Sequence, residues 1–339
     1  NWQFEYKWDG IRGQLIKRGD AITLWSRGEE IISDSFPDLV HCIGNSNFEG
    51  VLDGEILSWD YVKNSPKPFA DLQKRLGRKS PSQKFISSNP VAFVCYDVLE
   101  HLGVDLRSKP LQERRQILQD IFEKNFPQKV ENKTDFNSKK KGNNTVSIQF
   151  EGAIDSAIKL SPTVVISNWE EALEIRKNAK LLLNEGLMIK RLDSVYGVGR
   201  KRGDWWKWKV EPETADAVLI YAQKGHGKRA SRYTDFTFAL KKGEDLVPFA
   251  KAYSGLTNKE IEEINHWIKD HTRDRFGPVC SVDAELVFEI AFEGVNISKR
   301  HKSGIAVRFP RIVRWRKDKT VADINSVDDL LSFSEKLGN

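Results

Sequence analysis

Alternation of apolar and polar residues organises the first part of the chain. Runs with this period of two predict half-buried strands, and they lie at 4–8, 13–17, 21–26, 51–59, 91–99, 187–190 and 205–210. Arg18-Gly19-Asp20 joins the second and third runs and is typical of a hairpin turn. Three other segments, at 69–76, 112–123 and 169–179, have the pattern of helices, and Asn168 would cap the last of them. The pattern predicts a domain of mixed strands and helices.

A second block of elements begins after Glu211-Pro212, and we place a domain boundary there, between 1–210 and 211–339. Its predicted strands lie at 217–222, 235–240, 286–292 and 305–315. A helix is predicted at 258–270, because Thr257 and Glu260 have the spacing of a capping box. Several short strands with one helix between them predict a small β-barrel.

A segment of different composition interrupts the first domain at 125–144. It is rich in Lys and Asn and poor in apolar residues, so it has little surface to bury. We therefore expect an exposed, flexible insertion. A solvated loop without a role is the main interpretation, and a loop that contacts DNA is the alternative.

Composition narrows the class of protein. Of the 339 residues 39% are hydrophobic and ten are Trp, enough for a buried core. The three cysteines form no Cys-x-x-Cys pair, which disfavours a zinc-thiolate site or a disulfide framework and indicates a reducing compartment. No apolar run approaches the ~18 residues of a membrane span. The sequence does not begin with Met, so we expect a fragment or a processed product.

Positive charge is in slight excess, with 54 Lys and Arg against 48 Asp and Glu. This balance fits a nucleic-acid or nucleotide partner, but it is weak on its own. The segment 299–319 holds nine Lys and Arg and a single acid, interleaved with apolar residues. Along one strand Arg308, Arg314 and Arg316 would share a face, and Arg311 would take the other. An ordered basic element of this kind indicates contact with a polyanion.

Charged residues within strands carry the candidate chemistry. Glu5, Lys7 and Asp9 alternate, so their side chains point to one face; alone, they favour a salt-bridged surface strand. Further charged residues in or beside apolar strands change this interpretation: Glu55, Glu185, Lys207 and Lys209. Buried strands rarely hold charges without partners, so these residues predict one shared polar cleft. Carboxylates for a metal and cations for phosphate oxygens would suit a magnesium-bound polyphosphate.

These residues resemble the motifs of the covalent nucleotidyltransferases. Lys7 to Arg12 is similar to the KxDGxR nucleophile motif, which is weak alone. The further matches follow in the family's order: Ser26-Arg27, Asp53-Gly54-Glu55, the aromatic strand Phe93 to Asp97, Glu185 to Lys190 for EGhhhK (h is apolar), Lys207 to Lys209 for KhK, and Arg308 to Arg311 in the C-terminal arginine motif. Six or seven ordered matches over nearly the whole chain are specific. They resemble the ATP-dependent DNA ligases most, and Arg300 to Gly304 is similar to the bacterial branch. The cysteine zinc module of the NAD-dependent ligases is missing.

The resemblance implies a role for each matched residue. Lys7 would be the nucleophile that takes AMP from ATP, helped catalytically by Arg12, Lys207 and Lys209, whose charge favours a neutral amine. The implied nucleotide-binding residues are Glu5 (adenine edge), Arg12 and Arg27 (ribose or 5′-phosphate), Glu55 (ribose and metal), Tyr96 (stacking on the base), Glu185 (metal), Lys207 and Lys209 (α-phosphate), Arg308 and Arg311 (leaving pyrophosphate), and Lys190, which matches the motif without a defined role. The competing interpretations are a surface lysine for Lys7, core packing for Tyr96, and structural salt bridges for Glu55 and Glu185.

The resemblance also implies an α+β fold of two domains. The first, 1–210, would be an antiparallel-sheet, ATP-grasp-like nucleotidyltransferase (adenylation) domain, and the second, 211–339, an OB-fold barrel. We expect a monomer in the bacterial cytoplasm, associated with the nucleoid and with no membrane, that uses ATP and Mg²⁺ to seal nicks in duplex DNA. The DNA-binding domain that usually precedes the nucleophile in such ligases would be missing. The alternatives are an RNA ligase, an mRNA capping guanylyltransferase, or an inactive nucleic-acid-binding module.

Overall fold

The chain divides into two compact units, Asn1–Val210 and Glu211–Asn339. The computed structural model describes residues 1–126, 156–199, 201–225, 227 and 230–335. The insertion predicted at 125–144 lies, from residue 127 onward, outside the described residues. No helix within the described residues is long and apolar enough to span a membrane.

Antiparallel sheets build the first unit. Its strands are β1 (Trp2–Trp8), β2 (Ile11–Arg18), β3 (Ala21–Ser26), β4 (Gly50–Asp60), β5 (Ser65–Pro66), β6 (Val91–His101), β7 (Val104–Asp105), β8 (Ile158–Leu160), β9 (Thr163–Val164), β10 (Asn184–Arg191) and β11 (Trp205–Lys209). One sheet has the order β3-β2-β4-β6-β7, with β5 beside β4 and β8 parallel to β6. A second sheet has the order β11-β10-β1-β9.

The larger sheet of the first unit is buried on both faces along β4 and β6. Leu52, Ile56 and Phe93 belong to the larger core, to which three helices of this unit also contribute side chains. The opposite face carries Leu57 and Val94, which belong to a smaller aromatic cluster. Since side chains alternate between faces, the two acids of the Asp53-Gly54-Glu55 segment of β4 fall on this second face.

The helices of the first unit are α1 (Pro37–Gly44), α2 (Phe69–Gln73), α3 (Gln83–Ser88), α4 (Leu111–Asn125) and α5 (Trp169–Lys177), with short 3-10 turns at Ser33–Ser35 and Ala179–Leu182. The side chain of Asn168 accepts a hydrogen bond from the backbone of Glu171 and so caps α5, as the sequence predicts. The helix predicted at 69–76 is wrong at its end. Beyond Gln73 the backbone bonds span three residues instead of four, and Gly77 then turns the chain with φ +69°.

A seven-stranded sheet and a separate two-stranded sheet form the second unit. Its strands are β12 (Glu213–Lys224), β13 (Tyr233–Lys242), β14 (Asp245–Ala252), β15 (Thr272–Phe276), β16 (Val279–Val282), β17 (Val287–Phe292), β18 (Gly294–Ile297), β19 (Ile305–Arg308) and β20 (Arg311–Trp315), with helices α6 (Asn258–Asp270) and α7 (Val327–Glu335) and a 3-10 turn at Val321–Asp323. The long β12 pairs with β17 along its first half and with β16 along its second. One strand thus serves two partners along the same edge, as in a small barrel.

Helix α6 packs against the hydrophobic core of the second unit through its buried side chains Ile264 and Ile268. It begins at the predicted residue, and Thr257 and Glu260 exchange both bonds of the capping box. The single strand predicted at 305–315 is wrong. β19 and β20 are separate strands, because Phe309 adopts a positive φ of 50° before Pro310, and β19 pairs with β18 while β20 pairs with β17.

Candidate active site

A cavity of about 560 Å³ lies within the first unit, on the face of the larger sheet opposite its main core. The strand registers bring the charged residues there: Glu5 of β1 pairs with Met188 of β10, which pairs with Lys207 of β11. Arg12 of β2 pairs with Glu55 of β4. The predicted site residues that line the cavity are Glu5, Lys7, Arg12, Arg27, Glu55, Tyr96, Lys190 and Lys207.

Lys7 projects into the cavity and forms an ion pair with Glu185. The same Glu185 oxygen lies 3.6 Å from the ammonium of Lys209. Glu185 and Lys209 do not themselves line the cavity but stand beside Lys7. Lys207 opens into the cavity, and its pKa is lowered first by burial and then by the cations Lys7 and Arg27. An anion entering here meets a cluster of cations that are already close to one another.

Glu55 is the second of the two carboxylates of the DGE segment, and it faces the same cavity. Burial raises the pKa of Glu55 to about 8, although the charge of Lys7 opposes the rise. Asp53 and Glu185 add to it by repulsion. A cation beside Glu55 would favour its charged form, as expected of a residue that binds a metal.

The buried carboxylate of Glu5 has a partner on each oxygen. Gln3 donates to Oε1 at 2.6 Å and Lys190 donates to Oε2 at 2.7 Å. The Lys190 ammonium also lies 4.9 Å from the ring centre of Tyr96 and 4.5 Å from that of Trp205. Lys190 therefore balances the charge of Glu5 and packs between two aromatic rings. Tyr96 lines the cavity, and its hydroxyl lies 3.4 Å from Asp53.

Arg12 has partners that sequence analysis did not identify as site residues. Its guanidinium donates to both oxygens of Asp53, at 3.2 and 2.7 Å, and to the hydroxyl of Tyr196 at 2.6 Å. In the sequence, Asp53 is part of the DGE motif, and Tyr196 belongs to none of the matched motifs. The available signal was the position of Tyr196, in a glycine-containing connection between two charged strands. Arg27, directly after β3, is exposed and lines the cavity.

The residues present fit a nucleotide and a divalent cation. A cavity of about 560 Å³ is within the usual range for small ligands of ~300–1,000 Å³. Within the described residues, no group of three or more His, Cys, Asp and Glu is placed to hold a metal on its own. Mg²⁺ commonly takes one or two carboxylates together with phosphate oxygens and water. Glu55 and Glu185, both within reach of Lys7 electrostatically, match that donor set.

Arg308 and Arg311 belong to the second unit, where they fall in different strands, so the predicted alternation along one strand does not hold. Arg311 donates to Glu293 at 3.1 Å. Further along the basic segment, Arg314 pairs with Glu289 and Arg316 with Asp216 and Asp318. Acids from neighbouring strands therefore neutralise much of the charge that the sequence alone assigned to a polyanion.

Family models match both units of the chain. Residues 1–209 match the model described as ATP dependent DNA ligase domain, and residues 229–319 match that of the ATP dependent DNA ligase C terminal region. The chain belongs to the family of ATP-dependent DNA ligases, which confirms the resemblance. The expected fold class, an antiparallel-sheet adenylation domain followed by an OB-fold, is also confirmed, although ATP-grasp-like was too loose a description of it.

Curated relatives agree with this assignment. A probable DNA ligase of Koribacter versatilis is 39% identical over 325 residues, which are 96% of this chain and 55% of the relative. A DNA ligase of Methanocaldococcus jannaschii is 30% identical, over 97% of this chain and 55% of the relative. A probable DNA ligase of Opitutus terrae is 35% identical, over 95% of this chain and 32% of the relative. The chain thus spans about half or less of the length of these relatives.

Solved structures share the fold. The structure of Pmar-Lig superimposes with a TM-score of 0.66 at 19% identity, over 93% of this chain and 63% of that one. A Lig E DNA ligase gives 0.57 at 17% identity, over 93% of this chain and 92% of that one. At these identities the likeness shows the fold alone.

Proposed function

We propose that this chain is the catalytic core of a DNA ligase and that Lys7 carries AMP between ATP and a nicked strand. The main support for this proposal is the environment of the Lys7 side chain. Lys7 is a residue of β1 whose side chain enters a cavity of nucleotide size, with a carboxylate paired to its ammonium and further cations nearby. This arrangement suits attack on a phosphate and stabilisation of the charge that develops.

In the first step the neutral amine of Lys7 attacks the α-phosphorus of ATP. The N–P bond forms, the P–O bond to pyrophosphate breaks, and the nitrogen releases one proton to the solvent as the phosphoramidate forms. Glu185, which is paired with the Lys7 ammonium, is placed to accept the proton that the lysine must first lose. Lys207 and Lys209 offset the negative charge on the α-phosphate. Arg308 and Arg311, as residues of the OB domain 211–339, would orient the leaving pyrophosphate.

In the next two steps the AMP moves to the 5′-phosphate of a nick, and the 3′-hydroxyl then displaces it. Arg12 and Arg27 hold the ribose or the incoming 5′-phosphate, which suits the forked donors of arginine. Each step is an in-line displacement at phosphorus, so the protein contributes mainly position and charge. The partner is nicked duplex DNA, and the protein acts as a monomer in the bacterial cytoplasm, at the nucleoid.

The cavity is expected to prefer adenine over guanine. The carboxylate of Glu5, fixed by Gln3 and Lys190, can accept a hydrogen bond from the amino group of adenine. Guanine would present a carbonyl oxygen at that edge, so two acceptors would face each other with no proton between them. Tyr96 supplies a flat surface for the base. Glu55 and Glu185 would hold Mg²⁺, which when bound neutralises phosphate charge.

The test is a sealing assay on a nicked duplex with a labelled 5′-phosphate strand, with ATP or GTP as the only nucleotide. We expect sealing with ATP and Mg²⁺, and none with GTP. Sealing of an RNA nick but not a DNA nick would favour the RNA ligase. A covalent adduct that forms only with GTP would favour the capping enzyme. DNA binding with no adduct from either nucleotide would favour the inactive binding module.

A further inference from the structure

The connection between β10 and β11 is hydrogen-bonded to the first turn of α4. The backbone N–H groups of Leu111 and Gln112 donate to the carbonyls of Ser194 and Leu192, at 2.8 and 2.9 Å. These are first-turn N–H groups, which have no partner inside their own helix. The buried Arg114 also donates to the Ser194 carbonyl, at 3.2 Å. The backbone two residues before Tyr196 is therefore held in place.

Tyr196 itself is fixed on three sides. Its backbone N–H donates to the carbonyl of Arg107 at 2.9 Å. Its ring meets Trp205 edge to face, with centroids 5.9 Å apart, and lies 5.8 Å from the guanidinium carbon of Arg114. A side chain held in this way presents its hydroxyl at a defined point, at little entropic cost when that hydroxyl forms a bond.

The hydroxyl of Tyr196 closes a triangle with Arg12 and Asp53. It donates to Oδ2 of Asp53 at 2.6 Å and accepts from Nη2 of Arg12 at 2.6 Å. Asp53 is fully buried, whereas the side chain of Arg12 is 41% exposed. Burial, followed by the charge of Asp53, raises the pKa of Tyr196 well above its usual range, so the donated proton stays on the phenol.

Arg12 depends on this triangle for its direction. A long, half-exposed side chain such as that of Arg12 keeps much of its rotamer freedom with one partner. A second fixed partner restricts it further. Asp53 supplies the charge and Tyr196 supplies a second fixed oxygen at the same Nη2 atom. Without the phenol oxygen, Arg12 could still pair with Asp53, but it would have lost one of its two partners at the cavity end.

We propose that Tyr196 is a positioning residue that aims the Arg12 guanidinium at a phosphate or ribose oxygen in the cavity. The inference rests on the proposed function of Arg12. Tyr196 touches no reacting atom in this account. It acts through Arg12. The effect of removing the Tyr196 hydroxyl on the reaction rates should therefore vanish when residue 12 no longer bonds to that hydroxyl.

The test is a double-mutant cycle on the whole chain. Adduct formation from ATP, and transfer of AMP from the adduct to a nicked duplex, are measured in single turnover for wild type, Tyr196→Phe, Arg12→Lys and the double variant. Lysine keeps a point charge but cannot span both partners. The matched control is Tyr61→Phe. This change removes a phenol hydroxyl that donates to the backbone carbonyl of Val91, at 2.9 Å.

We expect Tyr196→Phe to slow at least one of the two reactions about tenfold, the size expected for a hydrogen bond to a charged group. In the Arg12→Lys background the same change should alter that rate less than about twofold. Tyr61→Phe should leave both rates unchanged, and both phenylalanine variants should melt as cooperatively as wild type.

Two results would overturn the inference. One is a Tyr196→Phe chain with wild-type rates in both reactions. The other is an equal loss in the wild-type and Arg12→Lys backgrounds, because the phenol would then act independently of Arg12. A wild-type chain that forms no adduct from ATP would refute the proposed function first, and the inference with it.

Discussion

Gly186 is required for the close approach of β10 and β11, and its replacement by alanine should be costly. Its φ is +129°, a region that side chains with a Cβ rarely adopt. A Cβ built there would lie 2.3 Å from the carbonyl oxygen of Trp208 and 2.9 Å from the Cα of Lys209. Both are backbone atoms, so neither can swing aside as a flexible side chain would.

The magnitude follows from two costs. A residue held in a sparsely populated backbone region loses ~1–3 kcal/mol, and an overlap that forces the backbone to shift costs ~1–3 kcal/mol. We therefore expect Gly186→Ala to lower the free energy of unfolding of the first unit by about 4 kcal/mol. The loss should appear in urea titrations of the whole chain followed by Trp fluorescence, because Trp205 and Trp208 lie on the displaced strand.

The same substitution should slow adduct formation, since β11 also carries Lys207 and Lys209. Gly28→Ala is the matched control. A Cβ at Gly28 would have only the Ser26 hydroxyl nearby, at 3.7 Å, and its φ is not in the positive region. The reasoning would be refuted if Gly186→Ala unfolded at the same urea concentration as wild type, or if Gly28→Ala lost as much stability.

Two other predictions concern charge. Arg114 and Asp97 form a buried pair at 2.8 Å, so Arg114→Ala should destabilise the chain by ~3–5 kcal/mol in urea titrations, because it leaves a buried carboxylate unpaired. Arg18→Ala, which breaks an exposed pair with Glu100, should cost under ~1 kcal/mol; equal losses would contradict the role of burial. The lowered pKa of Lys207 means that free protein loses this proton at lower pH than an ordinary lysine, and a bound phosphate should restore it. ATP affinity should therefore fall as the pH rises through the lowered pKa, with proton uptake visible by calorimetry in two buffers, and Lys207→Arg should flatten the profile.

Local signals in the sequence predicted much of the fold. The hairpin of β2 and β3 turns at Gly19 and Asp20, between the paired residues Arg18 and Ala21, as its turn residues indicate. Helix α6 begins where its capping box places it. In both cases the deciding contacts join residues a few positions apart, so the pattern along the chain contains them.

The features that the sequence did not predict depend on contacts between segments that are far apart along the chain. Tyr196 and Asp53 are 143 positions apart, and the packing of the β10–β11 connection on α4 helps to bring them together. The acids that neutralise the basic segment, among them Glu289 and Asp216, come from β17 and β12, and their pairing depends on sheet register. The break at Phe309 did have a local signal in Pro310, which cannot donate to a strand ladder.

The most direct test of the account is the intact mass of the chain after incubation with ATP and Mg²⁺, and again after excess pyrophosphate. The account predicts a gain of one AMP that pyrophosphate reverses, that peptide mapping places on Lys7, and that Lys7→Ala abolishes. Lys84→Ala, which removes an exposed lysine of α3, should form the adduct as wild type does. An AMP adduct that persists in Lys7→Ala, or that maps to another lysine, would contradict the central claim.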